Sequence, residues 1–92
     1  MAKINEESRH LDMMRHPERW PQSFLLPLQH RTRREPDGTM GLLGFMVEDT
    51  EKRQAKPRVY IGLMYEAVNL HLLPFEDYPD LDAVVANGWE VN

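Results

Sequence analysis

Arg58 to Glu66 reads Arg-Val-Tyr-Ile-Gly-Leu-Met-Tyr-Glu, and its strict alternation leaves neither side polar. Val59, Ile61, Leu63 and Tyr65 fall on one face, and Tyr60, Gly62 and Met64 on the other. β-Branched and aromatic residues repeating with a period of two suit a pleated surface, and apolar groups on both sides need cover on both sides. The stretch is expected to be a strand in mid-sheet. A chain of 92 residues without cysteine must hold such a sheet by packing alone, because no disulfide or zinc-thiolate site can staple it.

The neighbours of this strand read as further strands. Phe24 to Gln29 alternates, but Pro27 has no N–H for a ladder, so this strand is expected at an edge. Glu35-Pro36-Asp37-Gly38-Thr39 is the clearest turn of the chain and implies a hairpin whose second arm is Met40 to Glu48. Asp49 to Pro57, with charges of both signs, is expected as a solvated connection. Ala67 to Leu73 alternates well enough for a fourth strand or an extension of the third, and Pro74 stops it. Tyr78 to Gly88 has the ends of a short helix: Pro79, Asp80 and Asp82 suit a first turn, and Gly88 suits a left-handed C-terminal cap. Trp89 and Val91 then point inward from a closing strand.

Before the sheet, residues 1–15 read as a flexible arm with a short helix from Ser8, its cap, to Arg15, stopped by Pro17. Trp20, between Pro17 and Pro21, is expected to plug the end of the core. Residues 16–92 form one compact domain of the α+β class: an antiparallel meander of three to four strands with a short C-terminal helix, an open barrel being equally compatible. Met1 to His10 hold no apolar core of a signal peptide and no apolar run approaches the roughly 20 residues of a membrane span, so a cytoplasmic protein away from membranes is expected.

Chemistry-bearing patterns are sparse. His10, His16, His30 and His71 lack the close spacing of metal ligands, and Ser8 and Ser23 sit in no Gly-x-Ser-x-Gly elbow. The acid pairs lie in polar stretches, and the glycines form no phosphate cradle. Neither catalytic residues nor a metal or organic cofactor is expected. Charge is more informative. Residues 1–35 carry seven basic groups against five acids, whereas six acids and no Lys or Arg follow Arg58. Glu66, Glu76, Asp77, Asp80 and Asp82, with Glu90, are therefore expected to form an acidic face that docks a basic groove on a protein partner. Arg31, Arg33 and Arg34 form a basic turn able to grip phosphates, yet the acidic total and the absence of interleaved aromatics speak against a nucleic-acid partner. A third surface is Met40, Leu42, Met46, Tyr60 and Met64, an apolar set expected either to be covered internally or to meet another chain, a second copy included.

Three stretches resemble small proteins encoded by tailed phages, especially those of actinobacteria. They are His16-Pro17-Glu18-Arg19-Trp20-Pro21 with Leu25-Leu26-Pro27-Leu28, then Val59-Tyr60-Ile61-Gly62, then Ala86-Asn87-Gly88-Trp89-Glu90-Val91. The resemblance implies a phage or prophage protein acting in the host cytoplasm and carries over no functional residues. The expectation is a non-enzymatic binding protein that modulates a host or phage macromolecule; a virion assembly component and a small nucleic-acid-binding domain using the basic turn are the alternatives.

Overall fold

The computed structural model describes residues 6–21, 24–48 and 56–92. The start of the arm, Ser23 and most of the charged connection lie outside the described residues, as does the side chain of Met64. Five antiparallel strands, β1 (Leu25–Arg34), β2 (Gly41–Val47), β3 (Arg58–Ile61), β4 (Phe75–Asp77) and β5 (Trp89–Val91), form one sheet in the order β4-β3-β2-β1-β5. The sheet is not closed, since its end strands β4 and β5 share no ladder. Helices α1 (Glu6–Arg15) and α2 (Leu81–Asn87) accompany it, with 3₁₀ turns at Pro17–Arg19 and Met64–Leu72. Among the described residues no helix is long and apolar enough to cross a membrane.

The β1–β2 hairpin forms where the turn chemistry places it. Gly38 takes a φ of 75°, Asp37 Oδ1 accepts from the Thr39 amide at 3.0 Å, and the Glu35 amide donates to Met40 O at 2.9 Å. Leu25 to Gln29 pair in register with Val47 to Leu43; then β1 takes five steps, Gln29 to Arg34, while β2 takes two, Leu43 to Gly41. Such a bulge strips amides of their ladder partners, and an amide so freed needs another acceptor. His30, only 3% exposed, supplies it: its Nδ1 accepts from the amides of Thr32 and Arg33 at 3.2 and 3.0 Å.

Pro27 does not put β1 at an edge, because β5 pairs along its other side. That pairing covers only Leu28 to His30, so the missing N–H falls where β5 has run out, and the Pro27 carbonyl still accepts from the Asn92 amide. β3 is shorter than expected and lies beside an edge, while β2 is central. Gly62, with a φ of 151°, ends it, so Leu63 to Glu66 leave the sheet. Ala67 to Leu72 belong to a 3₁₀ segment rather than a strand, and the fourth strand is Phe75–Asp77.

One face of the sheet carries Leu26, Leu28, Met46, Val59 and Trp89 into the core, where Met14 of α1 and Val84 and Val85 of α2 cover them. Residues 6–15 are thus no arm standing off a domain that begins at 16: α1 packs on α2 and β5, and Ser8 lies inside it rather than at its cap. Trp20 joins the same core and donates its indole N–H to Met13 O at 2.7 Å. α2 has the expected ends, with Asp80 Oδ1 accepting from the Ala83 amide at 2.8 Å and Gly88 left-handed at φ 118°.

Gly44 makes a close approach that only a bare Cα allows. A Cβ there would lie 2.7 Å from Tyr60 O and 3.1 Å from the Trp89 ring. Backbone cannot yield as a flexible side chain does, so Gly44→Ala should destabilise the fold by roughly 1–3 kcal/mol. A thermal melt checks this: a drop in midpoint of several degrees is expected, and an unchanged midpoint would show that β2 and the indole are not in contact.

Candidate functional site

The densest polar arrangement spans both ends of the sheet. Trp89, fully buried at the start of β5, donates its indole N–H to the Tyr78 hydroxyl at 2.9 Å. Tyr78, just beyond β4, donates in turn to Glu76 Oε1 at 2.7 Å, and Arg33 Nη1 reaches the same oxygen at 2.8 Å. Beside them the His30 ring meets the indole edge-on with centroids 4.9 Å apart, and its Nε2 contacts Asn87 Oδ1 at 2.9 Å. Since Nδ1 already accepts two amides, Nε2 is the nitrogen that carries the proton and donates.

These contacts displace the acidities in a consistent direction. The Arg33 hydrogen bond holds the Glu76 carboxyl below its usual range, with Tyr78 adding to the effect. Burial, then the bond to Glu76, pushes the Tyr78 hydroxyl up to about 12. Both nitrogens of His30 are engaged, and the Tyr78 hydroxyl both donates and accepts. The cluster therefore works as a structural tie. Among the described residues no group of three or more His, Cys, Asp or Glu is placed to hold a metal ion.

The expected acidic face is not assembled as a field of unpaired charge. Glu76 pairs with Arg33, Asp77 takes a forked bond from Arg58 at 2.7 and 3.1 Å, and Asp82 lies 3.6 Å from Arg15. Asp80 caps α2, Glu66 accepts from the Leu63 amide at 2.8 Å, and Glu90 is 4.0 Å from His10. The basic turn is engaged in the same way, Arg33 by Glu76 and Arg31 by Glu7 at 3.7 Å, which leaves Arg34 exposed at the end of β1. The apolar set is divided. Leu42 and Met46 pack with the helix-covered core, Tyr60 pairs with Phe45 on the opposite face and stacks on it with centroids 5.6 Å apart, and Met40 is exposed in the hairpin turn.

A different surface is bare. Tyr65, Val68 and Leu72 of the 3₁₀ segment are 76%, 83% and 70% exposed, and Phe75 of β4 is 48% exposed beneath the Arg58 guanidinium, 3.8 Å from its ring. The segment is anchored at its two ends, by Gly62 N to Leu43 O and Ile61 N to Pro74 O, and packs extensively on no other described helix or strand. Its signal was present in the sequence as steps of three and four between Tyr65, Val68 and Leu72, which is not the period of two of a strand. A shallow cleft of about 500 Å³ between α1 and β5, lined by Arg9, His10, Asp12, Arg19 and Glu90 among others, holds mixed charge, with Arg19 bonded to Asp12 at 2.9 Å. No protein-family model, curated protein or solved structure matches this chain.

The tie yields an alkaline signature. The hydroxyl of Tyr78 has a folded-state acidity of about 12 against an ordinary 10.0, so its contribution is complete below pH 10 and is lost as pH rises through about 12. Tyr78→Phe should remove that part of the alkaline decline. It should also cost roughly 1–3 kcal/mol near neutrality, because the buried indole N–H loses its acceptor. Denaturant melts of both proteins from pH 8 to 12 check it; parallel curves would contradict the tie.

Proposed function

We propose that this chain is a non-enzymatic binding protein that docks a macromolecular partner at the β4 end of its sheet, through the 3₁₀ segment Met64–Leu72. The observation that carries this reading is the exposure of Tyr65, Val68 and Leu72 along a segment that packs extensively on no other described helix or strand. Apolar groups stabilise a protein only when removed from water, at about 25 cal/mol per Å², and here the chain leaves them out. Isolated exposed apolar residues are ordinary, but a spaced run of them beside an exposed Phe75 is the usual mark of an interaction surface.

The docking element is apolar rather than acidic, because intramolecular cations and amides already engage the acids after Arg58. The resemblance of three short stretches, within 16–28, 59–62 and 86–91, to small tailed-phage proteins supports placing this role in a phage-infected cell, with a host or phage macromolecule as the target.

A photo-crosslinking residue at Val68, compared with one at Ala86 on the exposed side of α2, tests the reading in cells that express the chain. An adduct of discrete mass is expected from position 68 and none from position 86. No adduct at 68, or the same smear of adducts from both positions, would overturn it.

A further inference from the structure

We infer that the partner at this surface is a second copy of the chain, its β4 running antiparallel to the first across a two-fold axis; this inference rests on the docking role given to the 3₁₀ segment. The sheet has two edges. At the β5 edge, α1 lies alongside and His10 Nδ1 accepts the Val91 amide at 3.1 Å, so that edge is occupied. At the other edge, bonds from Ile61 N to Pro74 O and from Tyr78 N to Pro57 O bracket the Val59–Glu76 pair as the one that exchanges ladder bonds. Glu76 therefore turns its backbone groups inward, while Phe75 and Asp77 turn theirs away from the sheet. An edge with outward N–H and C=O groups is a template for another strand.

Self-complementarity selects the occupant. A strand of three residues paired antiparallel with its own copy about Glu76 sets Phe75 of each chain against Asp77 of the other, so that every outward amide and carbonyl of the strand finds a partner. The charges near the edge are already balanced within each copy: Arg58 forks onto Asp77, and Arg33 and Tyr78 hold Glu76. Bringing two identical edges together thus opposes no uncompensated charge. Phe75 of one chain would face the Arg58–Asp77 pair of the other, repeating the cation–ring contact made within the monomer.

Two residues' worth of ladder is too little alone, and the 3₁₀ segment supplies the rest. Leu72 precedes Phe75 by three residues, so the apolar run and the open edge sit at the same end of the sheet. Tyr65, Val68, Leu72 and Phe75 together present on the order of 500 Å² of apolar surface, the upper range for a monomer's largest patch. Doubled by the two-fold axis, that approaches the roughly 1,000 Å² at which specific interfaces begin.

Light scattering and sedimentation of the purified chain between about 1 and 500 μM test the inference, with Val68→Glu, Val68→Lys and Leu72→Glu as variants. The side chains are exposed, and circular dichroism and thermal melts establish that each variant folds. The wild type is expected to double its mass with concentration, each variant to weaken association at least about tenfold, and an equimolar mixture of Val68→Glu with Val68→Lys to recover it through opposite charges across the axis. A wild type that stays monomeric to the highest concentration overturns the inference, as does a dimer indifferent to all three variants. If a monomeric chain still gives a position-68 adduct whose mass belongs to another protein, only the self-pairing falls and the docking surface stands.

Discussion

The burial of Trp89 is the constraint on which the rest of the structure depends. An indole this large dominates a small core, and its one N–H must find an acceptor once water is excluded. Three features follow from that demand. Gly44 has no side chain, so the ring can lie against β2. Gly88 takes a left-handed turn against the His30 ring, where any Cβ would come within 2.7 Å of it, so that α2 can end and β5 begin. Tyr78 accepts the indole proton and passes the demand to Glu76 and Arg33. Since Trp89 opens the strand at one end of the sheet and Tyr78 follows the strand at the other, the relay draws the two edges toward one another without a closing ladder. The sheet stays open and leaves the outer side of β4 unpaired.

The uneven charge of the chain has a structural meaning that is visible only in three dimensions. Basic residues gathered before Glu35 meet acids gathered after Arg58: Arg33 with Glu76 and Arg15 with Asp82. Each pair is exposed enough to contribute little by itself, and together they offset part of the acidic charge gathered after Arg58. To that mixed surface the 3₁₀ segment adds the exposed Tyr65, Val68 and Leu72.

Local chemistry was legible wherever a residue's meaning depends on its neighbours. Asp37-Gly38 fixed the hairpin, Asp80 and Gly88 bounded α2, and the inward direction of Trp89 followed from alternation. The antiparallel sheet and the α+β class came from the same patterns. Features that depend on distant residues were not legible. Alternation across Ala67 to Leu73 suggested a strand because both strand and 3₁₀ turn can carry spaced apolar residues, and only the loss of ladder partners after Gly62 decides between them. Phe75–Asp77 gives no strand signal, since the four residues between Pro74 and Pro79 are too few to show a period. The face shared by Met46 and Tyr60 was a guess at register, and pairing Phe45 with Tyr60 turned it over. Nothing in the sequence tells that Arg33 and Glu76, forty-three positions apart, share a hydrogen bond.

If the indole relay fixes the fold, its proton should be among the last to leave. Hydrogen exchange followed by NMR measures this directly. The Trp89 indole N–H is expected to exchange at the global unfolding rate, together with the Leu26 and Leu28 amides of the β1–β2 ladder and far more slowly than the amides of Tyr65 to Leu72. An indole proton that exchanges as fast as those of the 3₁₀ segment, while the Leu26 and Leu28 amides stay protected, would contradict the account, because the sheet would then stand without the tie.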